Sequence, residues 1–387
     1  MKKIFGVDLN VILLGIVSFL TDVSSEMIFS VFSVFFTVIL GASTALLGIV
    51  EGMADFAASS LDYIAGYLSD KSGKRKPFTT LGYGFSTIAK VLLLFKSSVI
   101  LAAVFRCTER FGKSFRGPPR DAWLASLSTD KNRGLSFGIH KALDKSGAIL
   151  GPLIAYLILD KMGSTQFSFM FLFNIAIIPA VLAVIMLTII KDKPSPPVKK
   201  ENIFSSYKHL GKGFKHYLYS AGIFSLAYFS FGFLLLKAYD VGFAIKEVVL
   251  LYALFNIAFV IVAVPIGRLG DWIGRRRIIL SGYFIYALMC IGFVLATSKL
   301  QVALLFVLFG IFYAIDEAQG KAYISDLEAK KRGTAIGVYN FATGIIYLPA
   351  SIIAGLLWKV HPNYAFIFAA ALSLAALVFF ASRRQQD

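Results

Sequence analysis

Placed on one helix at 100° per residue, Arg106, Glu109, Arg110, Lys113, Arg116 and Arg120 fall within an arc of about 120°. A face of that kind suits an anion, because the guanidinium forks of Arg106 and Arg110 can grip a carboxylate or phosphate at two points. Elsewhere in the chain acids recur at helical spacing. Asp22 and Glu26 stand one turn apart with Ser18 one turn before, and Glu51, Asp55 and Asp62 share a face within about 40°. A carboxylate in apolar surroundings is neutralised by a proton unless a cation compensates it, which makes Asp22, Glu26, Glu51 and Asp55 candidates for carrying one. Structural ion pairs with the cations of the first group are the alternative for the same residues. His140 and Asp144, one turn apart, could relay a proton near neutral pH, or His140 could simply be a buried hydrogen-bonding group. Asp316 is a further proton candidate. Glu109 and Lys113, with Lys141, Lys237 and Lys321 from other segments, complete the candidate set around a bound solute.

These residues are embedded in a chain of 387 residues that is 57% hydrophobic and 16% charged, a composition suited to a bilayer. Segments long enough to cross about 30 Å of hydrocarbon fall near 10–39, 44–69, 77–96, 98–126, 134–159, 166–190, 216–239, 245–271, 277–297, 300–326, 333–358 and 363–382. Ionisable groups are concentrated in the first, fourth, seventh and tenth of these. The third, sixth, ninth and twelfth carry essentially Lys90 alone, placed near enough to the outer end to snorkel. Charge inside a membrane turns toward a bundle interior or a water-filled cavity, so one helix in three should line a central polar pathway and another should face lipid. Asp22 would then sit roughly 18 Å along its helix, near mid-membrane. The inner end of the fourth span leaves two readings open for Arg116 and Arg120, the same polar face or contact with headgroups.

The net charge of +17 comes from basic residues between the apolar runs rather than from one folded face, which argues topology and no nucleic-acid partner. Lys2 and Lys3, Lys71 to Lys76, Lys131 and Arg133, Arg275 to Arg277, Lys330 to Arg332, and Arg383 and Arg384 alternate with nearly neutral turns. Both termini are therefore expected in the cytoplasm. The first segment is too long for a cleaved signal sequence and is expected to stay as a span. Cys107 and Cys290 lie inside apolar runs and no N-x-S/T acceptor occurs, which fits a multi-pass protein of a bacterial inner (plasma) membrane. The four histidines are scattered, so no metal is expected, and no cofactor is implied. Absence of a Walker loop, a G-x-S-x-G or an H-E-x-x-H argues against ATP as energy source and against an enzyme.

Two pairs of echoes point to an internal duplication. GYLSDKSGKRKP, from Gly66 through Asp70, Gly73, Lys74 and Arg75, recurs as GRLGDWIGRRRI, from Gly267 through Asp271, Gly274 and Arg275. An Arg-Gly-x-x-x-Gly core, with glycines expected at close helix contacts, follows the fourth span at Arg133, Gly134 and Gly138 and the tenth at Arg332, Gly333 and Gly337. The first pair resembles the signature loop of the major facilitator superfamily. RCTERFG resembles that family's fourth-helix R-x-x-Q-G-x-G pattern, with Glu109 for Gln and Arg110 for Gly. Gly138, Gly147, Gly151 and Pro152 resemble the fifth-helix motif of its exporting antiporters, without the closing Gly-Gly.

The resemblance implies an all-α membrane protein of twelve helices in two six-helix halves related by a pseudo-two-fold: 1–190, a cytoplasmic linker 191–214, and 215–387. It implies gating at the two loops, with Asp70 holding an inner contact. It also implies secondary, proton-coupled transport of a small organic solute by alternating access in a monomer. Expected solutes are anionic or zwitterionic, with export somewhat favoured. Uptake of an organic anion or metal chelate such as a siderophore, multidrug efflux, and a non-transporting receptor or assembly factor are the alternatives.

Overall fold

The computed structural model describes residues 3–4, 6–95, 98–129, 132–192, 207–328 and 331–382. Lys2, Lys131, Lys330, Arg383, Arg384 and residues 193–206 of the expected linker lie outside the described residues. A short antiparallel pair, β1 (Lys3–Ile4) and β2 (Val7–Asp8), leads into α1 (Leu9–Val34), whose start is capped by Asp8 accepting from the Asn10 amide at 2.8 Å. A π-helical turn, Phe35–Ile39, extends α1. Then follow α2 (Thr44–Ser72), α3 (Lys76–Phe95), α4 (Val99–Leu127), α5 (Arg133–Met162) and α6 (Gln166–Ile189). The second half of the sequence contributes α7 (Lys212–Ala227), α8 (Gly232–Asp240), α9 (Ile245–Ile273), α10 (Arg275–Leu295), α11 (Lys299–Leu327), α12 (Arg332–Val360) and α13 (Pro362–Ser382).

Among the described residues eleven helical segments are long and apolar enough to span a membrane. The α4 helix is also 29 residues long, but too charged to count among them. The seventh span is not the single helix expected. It breaks at Tyr228, which takes an extended backbone, and restarts at Gly232, whose amide donates to Ser230 Oγ at 3.2 Å. The interrupting residues, Tyr-Phe-Ser-Phe-Gly, hold a helix weakly.

The chain divides into two compact units. Unit 1 comprises residues 1–42, 57–200 and 245–253; unit 2 comprises 43–56, 201–244 and 254–387. Thus α2 and α9 each contribute to both. Burial follows the expected period at its extremes. The apolar stretch of the first span is 72% buried and that of the seventh 67%, against 39% for the third, 33% for the sixth and 39% for the twelfth. The ninth, expected to face lipid, is 50% buried and the tenth, expected to line the pathway, 39%, so these two do not follow it. Ile88 on α3, Ile185 on α6, Phe284 on α10 and Val378 on α13 are among the large apolar side chains left exposed, a surface suited to lipid rather than water.

Unit 1 is assembled by close backbone approach. A Cβ on Gly151 of α5 would lie 2.6 Å from the Val23 carbonyl and 2.9 Å from the Met27 amide of α1. One on Gly147 would lie 3.2 Å from Asp22 Cβ. On α4, a Cβ at Gly112 would lie 2.6 Å from the Gly82 carbonyl of α3. The fifth-helix glycines therefore serve to bring α1 against α5. Gly134 and Gly138, expected at a close contact, have no described atom within 4 Å of such a Cβ, because both lie on an exposed face of α5. Below these contacts Val11, Leu14 and Val17 of α1 pack with Trp123 and Leu124 of α4 and Leu187 of α6.

The signature loops turn at Gly73 (φ +69°) and Gly274 (φ +95°), where a side chain would be strained. The basic residues that follow are more than topological markers. Lys76 donates to the carbonyls of Thr188 (2.9 Å) and Ile190 (2.7 Å), closing the end of α6. Arg276 donates to those of Phe380 (2.8 Å) and Ala381 (3.3 Å), closing the end of α13. Each satisfies orphan carbonyls at the negative end of a helix.

The glycine contacts generate a paired expectation for thermal melts of the detergent-purified protein. Gly151→Ala should lose ~1–3 kcal/mol of stability by overpacking against α1. Gly138→Ala, in open space, should be neutral or gain up to about 1 kcal/mol from helix propensity. Equal effects at the two positions would count against the α1–α5 contact.

Candidate functional site

The charged face of α4 meets α1, α3 and α5 in unit 1. Arg106 lays its guanidinium over the Phe29 ring of α1, 4.4 Å from the centroid. Glu109 is fully buried, and Ser25 of α1 donates to its Oε1 at 3.2 Å. Lys113 lies 3.8 Å from Glu26. Arg116, 2% exposed, stacks over the Tyr83 ring of α3 at 4.4 Å and donates to Ser86 Oγ at 2.6 Å. That settles one open reading: Arg116 is part of the interior and not a headgroup contact. Arg120 forks onto Asp121 (3.0 and 2.9 Å) and donates to Ser18 at 3.2 Å. Arg110 is half-buried.

Lys90 corrects an expectation. It does not snorkel. It is fully buried, and its ammonium donates to Ser25 Oγ at 3.1 Å, so that a chain Lys90, Ser25, Glu109 ties α3, α1 and α4 together. The signal was present: Gly82, Ser86 and Lys90 recur at four-residue spacing, a face of small residues able to admit α4 closely. An ammonium on that face points at α4 and away from the bilayer.

The carboxylates separate into different environments. Asp144 accepts from Ser18 at 2.5 Å and lies 4.0 Å from both Arg120 and Lys141. No hydrogen bond among the described residues joins it to His140, which is 4% exposed with Nε2 unpartnered. Glu26 accepts a short hydrogen bond from Tyr252, on the portion of α9 that belongs to unit 1. Asp22, 7% exposed, makes no hydrogen bond or ion pair among the described residues, although Lys113, Arg116, Glu26 and Asp144 lie within electrostatic reach. Glu51 and Asp55 belong to unit 2, where Ser230, in the break of the seventh span, donates to Glu51 at 2.9 Å.

Unit 2 also holds Lys237, Lys321 and Asp316. Lys237 donates to Asn363 at 2.8 Å, and Lys321 is exposed. Asp316 borders a small cavity with Tyr217, Tyr283, Phe312 and Gly320. At the loops, Asp70 pairs with Arg75 at 2.5 Å, and Arg75 also donates to Ser69 at 2.8 Å. Gly66 lies within α2, where a Cβ would meet Pro118 of α4 at 3.3 Å, and Lys74 is exposed. In the second loop Arg275 bridges Asp271 and Asp326, both at 2.7 Å, while Gly267 has no described atom near its missing side chain.

Helical spans in this number, signature loops at the same place in both repeats and buried charge on α1 and α4 describe a transport protein. The family model of the Major Facilitator Superfamily matches residues 14–239 and 218–387. The chain belongs to this superfamily. An MFS-type transporter of Methanocaldococcus jannaschii is 39% identical over 94% of this chain and 92% of its own length. Multidrug resistance protein 1 of Bacillus subtilis is 26% identical over 79% of each. Among solved structures, that of the nucleoside transporter NupG superposes with a TM-score of 0.81 at 13% identity, covering 96% of this chain and 99% of the other. A POT family transporter gives 0.80 at 13% identity, covering 98% and 96%. At such identities the structures speak to fold alone. The protein is a multi-pass membrane transporter of this superfamily and not an enzyme.

The Lys90 chain yields a test. Lys90→Met removes the ammonium that bonds to Ser25 beside the buried Glu109, and loss of a buried polar partner of this kind costs about 1–3 kcal/mol. The double variant Lys90→Met with Glu109→Gln should recover part of the lost melting temperature, since the acid that the ammonium faced through Ser25 is neutralised with it. Additive losses would show that the two groups do not act together.

Proposed function

We propose that the protein is a proton-coupled secondary transporter of a small organic solute carrying a carboxylate or phosphate. It would act in the inner (plasma) membrane with both termini cytoplasmic, as loop charge argues. The observation that carries this reading is a contrast between two acids of unit 1: Asp22 of α1 has no hydrogen bond or ion pair among the described residues, while Asp144 of α5 is held by Ser18, Arg120 and Lys141. An acid fixed in an ion pair has little to exchange. Asp22 is the one whose proton can come and go with least structural cost, and Arg106 and Arg110 supply the forks for the anion.

The sign of coupling follows from charge. Neutralising Asp22 removes a negative charge from a cationic face, so proton and anion favour each other's binding and travel together. Across a membrane with an inward proton gradient that means uptake. Likeness to the multidrug resistance proteins of Bacillus subtilis supports the second reading, export of a lipophilic solute that competes with the proton.

Reconstituted vesicles separate these. Asp22→Asn should abolish accumulation driven by a pH gradient while sparing exchange of solute for solute. Arg106→Lys should weaken anion binding about tenfold, the loss of one charge-assisted contact. If Asp22→Asn keeps full proton-driven flux, the proton is carried elsewhere. Should Arg106→Ala leave lipophilic cations bound with unchanged affinity, the export reading replaces the first.

A further inference from the structure

Unit 2 has an interior of different chemistry. A cavity of about 10 Å³, room for one water-sized group, is lined by Asp316, the rings of Tyr217, Tyr283 and Phe312, the aliphatic Ile279 and Ile315, and two glycines. The Asp316 carboxylate has no hydrogen-bond or ion-pair partner among the described residues. Its charged neighbours are Glu317, next in the chain, and Lys321. Lys321 lies about 140° around the helix from Asp316 and is itself exposed. Phenols surround the acid instead: those of Tyr217, Tyr228, Tyr283, Tyr339 and Tyr347 all lie within its electrostatic reach.

The rings are held in place by one another. Tyr217 stacks on Tyr339 at 5.7 Å, Tyr283 on Phe224 at 4.5 Å, and Phe312 contacts Phe224, Tyr228 and Tyr286 at 5.6, 6.0 and 4.7 Å. The break in the seventh span places Tyr228 behind the lining ring of Phe312. Space is kept open by a missing side chain. A Cβ on Gly320 would lie 3.0 Å from the Tyr217 hydroxyl.

We infer that this cavity is a subsite for a primary ammonium group, held by the Asp316 carboxylate and the surrounding aromatic rings and phenol oxygens. An ammonium head is water-sized and supplies the cation the acid lacks. Aromatic walls attract such a cation while rejecting anions. An inorganic cation such as sodium is less well served, since rings offer it few oxygen ligands. The inference deepens the functional reading and rests on it in one respect: a solute bearing both an ammonium and an acidic group would be zwitterionic.

Thermal shift of the purified full-length protein tests it, because a ligand that favours the folded state raises the melting temperature. The probes are n-butylammonium chloride, sodium butyrate and sodium chloride, each against N-methyl-glucamine salts at matched ionic strength. Butylammonium should stabilise the native protein, and Asp316→Asn should weaken that effect about tenfold or more. Gly320→Ala, which leaves the charge in place but narrows the cavity, should weaken it too. Neither variant should alter stabilisation by butyrate. No response to butylammonium, an equal response in Asp316→Asn, or sodium stabilising in its place overturns the inference. Loss of the butyrate response alone in the native protein would overturn the anion reading and leave the ammonium site standing.

Discussion

The structure depends on a single constraint: a charge buried in an apolar bundle needs its compensation within reach of its own side chain. Glu109 shows how unit 1 meets it. The carboxylate is sealed from solvent, Ser25 of α1 donates to one of its oxygens, and Lys90 of α3 reaches that serine in turn. A serine side chain is short, so α1 must run close to α4, and Lys90 must enter from α3 across a contact made of Gly82, Ser86 and Gly112. Small residues and buried charge are therefore one arrangement. The glycines set the distance at which the charges can neutralise each other.

Unit 2 is built from the same repeat and meets the constraint differently. Its interior polar groups are mostly neutral and bond to backbone: Tyr286 to the Ala227 carbonyl at 3.0 Å, Gln319 to that of Ile266 at 2.9 Å, and Ser373 to that of Tyr283 at 2.7 Å. Aromatic packing takes the place of ion pairs. What the two repeats share lies at their loops, where Lys76 and Arg276 each close the end of a final helix and Gly73 and Gly274 each make the turn. Duplication thus preserved the frame, while the interiors diverged into a cationic face and an aromatic one.

How much of this was legible follows from what each signal reports. Span number and order came from hydropathy, and the family from motifs that are local in sequence. Arg106, Glu109 and Lys113 could be placed on one face because a helix has a fixed pitch. Lys90 was misjudged because depth along a helix says nothing about which neighbour the side chain meets, and its face, marked by Gly82 and Ser86, was the better guide. The break at Tyr228 carries no proline, so its only local signal is weak helix propensity. Glu51 and Asp55 were grouped with Asp22 and Glu26 by nearness in sequence, whereas the opening turns of α2 belong to unit 2, a partition that three-dimensional packing alone decides.

The same distinction separates the two acids of α1. Glu26 is held on one side by Lys113 at 3.8 Å and on the other by the Tyr252 hydroxyl from α9. A phenol can donate to a carboxylate and equally to the carbonyl oxygen of a neutral acid, so that link survives protonation, while the ammonium contact does not. Lys113 is itself partly exposed, so the Tyr252 hydroxyl is the fixed partner of Glu26. Asp22 has no such bond to lose. Its protonation changes the field along α4 without dismantling a contact, and a group of that kind can report the proton gradient to the cations beside it while the bundle stays packed.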